Sequence, residues 1–89
     1  MENLKSLRKK IDRIDAAIIK KLSARQQISE KIGRLKIALG KPVKDFPREA
    51  AQKQQYAQLC LNYQVDFALV NRLFKLIISH SRNLQKNGR

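Results

Sequence analysis

LKSLRKKIDRIDAAIIKKLSARQQISEKIGRLKIAL, from Leu4 to Leu39, is the stretch that decides the fold. Apolar residues recur at Leu4, Leu7, Ile11, Ile14, Ile18, Leu22, Ile28, Ile32, Leu35 and Leu39. Spacings of three and four draw one stripe along an amphipathic helix. Gly33 is its only weak point, and Gly40-Lys41-Pro42 stops it. The 36 residues at about 1.5 Å rise make a rod roughly 54 Å long. A compact monomer of 89 residues needs no such rod. The one candidate of equal length to cover it is its own copy, so a homodimer is expected.

The rest of the chain is punctuated clearly. Gly40 to Pro47 is a connection, with Asp45 able to cap the next helix and Pro47 tolerated in its first turn. That second helix is expected from Pro47 to Leu61 and is weakly apolar. Asn62 to Val65 reads as a turn, and Asp66 as the cap of a third helix. Phe67, Val70, Leu73, Phe74, Ile77 and Ile78 form its apolar face, which ends in two polar residues four apart, Ser81 and Gln85. A frayed tail is expected from Lys86. The reading is all-α, three helices in one domain over residues 1–89.

Composition narrows the function. The formal charge is +13, from 20 Lys and Arg against 7 Asp and Glu. Anionic partners follow, whether nucleic acid, a membrane surface or a small carboxylate or phosphate compound. Most lysines, Lys5, Lys9, Lys20 and Lys31 among them, fall off the apolar stripe and read as a solvated face. The single Cys60 excludes an intrachain disulfide and a zinc cluster, and reads as a packing residue. The lone His80 has no metal-ligand companion and reads as a surface or helix-end residue. No apolar run reaches 18 residues, and a basic start leads into an amphipathic pattern; a cytoplasmic protein is expected.

Four cations are misplaced. Arg25 and Lys36 lie inside the apolar stripe, Arg8 lies on its margin, and Arg48 follows the Asp45-Phe46-Pro47 turn. Cations taken out of water need anions beside them, and this chain has few carboxylates. Arg25 and Lys36 are eleven residues apart, so their Cα atoms stand roughly 16 Å apart on one face. Long side chains reaching towards each other leave a gap for a small dicarboxylate. Ser29 and Gly33 make room in that gap, and Ile32 offers an apolar wall. On spacing alone, both cations snorkelling to solvent is an equal alternative. Arg8, roughly 25 Å along the rod from Arg25, serves a site only on another chain.

These residues carry a resemblance. Leu7-Arg-Lys-Lys-Ile-Asp-Arg-Ile-Asp15, Arg25, Gly33-Arg-Leu-Lys36, Lys41-Pro-Val-Lys-Asp-Phe-Pro-Arg-Glu49, and Arg72 to Ile78 followed by Ser81 and Gln85 occur in one order. Together they resemble the all-helical chorismate mutases, similar to the mutase domain of bacterial bifunctional chorismate mutase/prephenate dehydratases. The likeness runs from Leu7 to Gln85 without a gap. It departs in its high charge and in the plain Ala-Ala-Gln-Lys-Gln-Gln run of helix 2.

The resemblance implies an intertwined homodimer that rearranges chorismate to prephenate without metal or cofactor. It implies that Arg8 from the partner chain, Arg25 and Ser81 hold the two carboxylates. Lys36 and Gln85 are implied at the ether oxygen, Lys36 also at a carboxylate. Glu49 and the Asp45 backbone are implied at the ring hydroxyl, braced by Arg48, with Ile32 against the ring. Two alternatives stand beside it. An isochorismate-pyruvate lyase shares the scaffold, and the Asp45–Glu49 pair tilts the reading to mutase. A basic nucleic-acid module lacks interleaved aromatics and a docking motif.

Overall fold

The computed structural model describes residues 2–87. Three helices follow in order: α1 (Leu4–Leu39), α2 (Phe46–Tyr63) and α3 (Phe67–Lys86). The all-α expectation holds. Each helix starts on a side-chain cap. Asn3 Oδ1 accepts from the Ser6 amide at 2.9 Å, Asp45 Oδ1 from Arg48 at 3.1 Å, and Asp66 Oδ1 from Ala68 at 3.0 Å. Each bond satisfies an amide that has no partner inside its helix. α1 ends on Gly40 at φ 64°, and α2 on Gln64 at φ 56°, both left-handed. α2 is therefore longer than the expected Pro47 to Leu61 by one residue at its start and two at its end. The frayed tail expected from Lys86 falls, beyond Asn87, outside the described residues.

α3 is the centre of the fold. It packs against both α1 and α2, while α1 and α2 do not pack on each other. Tyr56 of α2 stacks on Phe74 of α3 with ring centroids 4.2 Å apart, and Cys60 is buried as a packing residue. α3 meets α1 at Gly33. A Cβ placed there would stand 2.6 Å from the Gln85 Cα and 2.9 Å from its carbonyl oxygen. Glycine is thus what allows the two backbones to touch.

The apolar stripe of α1 differs from expectation. Of the described α1 residues only Ser29 and Gly33 are buried, and Ile11, Ile14 and Ile18 are each about half exposed or more. The reason is that one 20-residue helix, α3, is all that packs on a 36-residue rod running most of the 58 Å length of the molecule. It shields only a narrow side of α1, and Ile28 and Leu35 stay more than half exposed as well. The radius of gyration is 16.4 Å, against about 12 Å for a compact domain of this length.

Candidate active site

Where α1, the α1–α2 connection, α2 and α3 converge, they enclose a cavity of about 440 Å³. Arg25, Ser29, Ile32 and Lys36 face it because they sit three, four or seven residues apart on one side of α1. Ser81 and Gln85 face it from the last turns of α3. Asp45, Arg48 and Glu49 close it from the start of α2. Snorkelling is overturned for both cations of α1, since each turns inward to a partner.

At one end, Arg25 Nη1 donates to Ser81 Oγ, and Ser29 Oγ donates to the same oxygen at 3.3 Å. Ser81 and Ser29 are buried. A hydroxyl accepts twice and donates once. Ser81 Oγ thus stands beside the Arg25 guanidinium at this end of the cavity.

At the other end, Lys36 Nζ donates to the Val43 carbonyl at 2.6 Å and to Gln85 Oε1 at 2.7 Å. An ammonium has three donors and no acceptor. One N–H therefore stays free, and Gln85 must present its oxygen to Lys36. Its amide NH2 is then the group left for a ligand. Two donors, one charged and one neutral, thus stand side by side in the cavity lining.

The third corner differs from the sequence reading. Glu49 is clamped by Arg82, whose Nε donates to Oε2 at 2.9 Å and whose Nη2 donates to Oε1. Asp45 caps α2, as expected, and Arg48 reaches the cavity with an exposed side chain. Ile32, Ile28 and Ile78 form the apolar wall. Gly33 does not open the cavity as expected; its missing side chain admits the α3 backbone.

Eight of the nine expected residues thus line one cavity: Arg25, Ile32, Lys36, Asp45, Arg48, Glu49, Ser81 and Gln85. Arg8 does not; it is exposed in the N-terminal half of α1. Arg82, Gln52 and the Val43 carbonyl were missed. Arg82 stands four residues after Ile78 and three before Gln85, so helical spacing on α3 already placed it on the cavity side. The Val43 carbonyl lies in a connection and had no signal. Among the described residues no group of three or more His, Cys, Asp or Glu side chains gathers to hold a metal ion. No described helix is long and apolar enough to cross a membrane.

Four cations (Arg25, Lys36, Arg48, Arg82) face two carboxylates (Asp45, Glu49), leaving +2. The cavity thus carries a net positive lining in an all-helical protein. Residues 7–86 match the family chorismate mutase type II, and the chain belongs to that family. It is 34% identical over 86 residues to a chorismate mutase of Methanocaldococcus jannaschii, covering 97% of this chain and 87% of that protein. It is 31% identical over 78 residues to the bifunctional chorismate mutase/prephenate dehydratase of Escherichia coli K12, covering 88% of this chain. A namesake of Enterobacter agglomerans is 30% identical over the same length. The chain spans only 20% of each of these two bifunctional relatives.

Proposed function

We propose that this protein converts chorismate to prephenate in the cavity between its helices, as a single domain working in a homodimer. The Claisen rearrangement shifts electrons within one molecule, breaking a C–O bond as a C–C bond forms. Catalysis then means selecting the folded conformer and stabilising charge on the departing ether oxygen. The observation that carries this reading is the Lys36–Gln85 pair. It sets a charged and a neutral donor side by side on the cavity wall, with one ammonium N–H and the amide NH2 not used between them. Arg25 and Ser81, at the opposite end, bind a carboxylate. Lys36 serves the second carboxylate as well as the ether oxygen. Glu49 and the Asp45 backbone take the ring hydroxyl, Arg48 braces that corner, and Ile32 packs against the ring.

The dimer is supported by area. The chain exposes 7536 Å², whereas a compact monomer of its mass exposes about 5,400 Å². Much of the excess is apolar. Ile14, Ile18, Leu22, Leu73, Phe74 and Ile77 line an open groove between α1 and α3, continuous with the exposed stripe of α1. A second copy laid along that face brings its Arg8 to the cavity. A free cysteine, Cys60, suits a reducing cytoplasm.

The test is incubation of the purified protein with chorismate and, separately, isochorismate. Ultraviolet loss of chorismate with prephenate as product is expected. Pyruvate released from isochorismate, without prephenate from chorismate, would identify a lyase instead.

A further inference from the structure

Nothing in the reaction sketched above uses Arg82, yet it makes the one two-pronged ion pair in the cavity wall. Its fork holds Glu49 across 33 residues of sequence, joining the first turn of α2 to the last turns of α3. Both side chains are mostly shielded, at 35% and 24% exposure. Two parallel N–H···O bonds fix the plane of a carboxylate as a single contact cannot. A carboxylate has about four acceptor positions, so two remain open, one on each oxygen.

Charge gives the pair a second consequence. Glu49 is an anion in a cavity meant for a dianion. Without Arg82 the cavity holds three cations and two carboxylates, and its surplus falls from +2 to +1. Glu49, freed from its clamp, is also able to swing onto Lys36 or Arg48, the cations a ligand needs.

Resting on the activity proposed above, we infer that Arg82 is the positioning residue for Glu49. It aims the carboxylate at the ring hydroxyl of the substrate and cancels its repulsion of the substrate's two charges. Arg82 thereby sets the affinity for a hydroxylated cyclic dicarboxylate while leaving the bond-breaking step to Lys36 and Gln85. Interactions of this kind act equally on ground and transition states, so their loss appears in KM and not in kcat.

The experiment is steady-state kinetics with chorismate on the wild type, Arg82→Ala, Arg82→Lys, Glu49→Ala and the double variant Arg82→Ala/Glu49→Ala, with Tm measured for each. Arg82→Ala is expected to raise KM about 10- to 100-fold, the scale of a displaced positioning group, with kcat held within about threefold. Arg82→Lys, which keeps the charge but not the fork, should fall between. In the Glu49→Ala background the effect of Arg82→Ala should shrink at least about fivefold, since residues acting as a unit are not additive. Equal effects of Arg82→Ala in both backgrounds, or a fall in kcat with KM unchanged, overturn the assignment. Should Arg82→Ala not fold, Arg82→Lys decides: a raised KM supports the role and an unchanged one overturns it. A folded wild type that leaves chorismate untouched overturns the activity itself, an outcome distinct from an active wild type indifferent to Arg82.

Discussion

Lys36 is set apart from the other lysines of α1 by its contacts. Lys20 and Lys31 carry the same charge on the same helix and are exposed. Lys36 alone is held by a carbonyl and an amide oxygen, at 2.6 and 2.7 Å, with one N–H left over. Lys36→Ala is expected to lower kcat/KM about 100- to 1000-fold, the usual loss for a preorganised donor to developing charge. Lys31→Ala should change it little, and equal losses at the two positions would mean the cavity is not the site. Lys36→Arg should also be poor, because a planar fork does not replace a compact ammonium at one oxygen. Gln85 offers a sharper test. Its amide donates at every pH, whereas a carboxyl donates only when protonated. Gln85→Glu should therefore give an acidic optimum in kcat/KM, with the rate falling as the new carboxyl ionises. A pH profile of the variant that parallels the wild type would remove Gln85 from the breaking bond.

Among the elements, α3 matters most, because α1 and α2 meet only through it. Its placement depends on Gly33, the weak point of α1. Alanine is better than glycine in a helix by about 1 kcal/mol, so local propensity predicts that Gly33→Ala stabilises. The tertiary contact predicts the reverse. The new Cβ would lie 2.6 Å from the Gln85 Cα, a backbone atom that no rotamer change moves aside. We expect Gly33→Ala to keep its helical circular dichroism but to lose at least about tenfold in kcat/KM, since a shift of about 1 Å at a reacting group costs up to 100-fold. Full activity in that variant would show that α3 is able to slide without disturbing Gln85. The starts at Asp45 and Asp66 and the stop at Gly40 were legible from capping residues, because a cap is a contact within three residues; the Asn3 cap and the left-handed Gln64 that ends α2 were not. The crossing at Gly33 was not, because its partner lies more than 50 residues away.

At the scale of the whole molecule, much apolar surface stays uncovered in the single chain. Its rod-like α1, the groove beside Ile14 and Leu73, and an extent of 58 Å all leave apolar surface facing water. A dimer in which each chain lends Arg8 to the other makes a specific prediction. Arg8→Ala and Arg25→Ala homodimers should both be nearly inactive. Mixing the two after mild unfolding should restore activity, because one site of each heterodimer then has both arginines. Restoration to about a quarter of the wild-type rate is the ceiling, since half the dimers are mixed and each has one intact site of two; sedimentation should show two chains. A fully active monomer would end this account. The +13 charge matters at this scale too, as a field that draws a dianion towards the protein. Raising salt should slow capture at low substrate more than turnover at saturation.

From its sequence alone this protein is determined to be three helices, with caps at Asp45 and Asp66 and a stop at Gly40, and Arg25, Ser29, Ile32 and Lys36 are set on one face of α1. Those are consequences of periodicity and of bonds to near neighbours, so the chain carries them locally. Family resemblance added which distant residues belong with them. Only the tertiary structure decided that Arg25 and Lys36 turn inward instead of snorkelling, that Gly33 serves a helix crossing, and that Glu49 is clamped by Arg82. Each of these depends on the register of α3 against the other helices, through contacts spanning 33 to 56 residues. Register is set by how side chains interlock across helices, and no spacing along one helix encodes it.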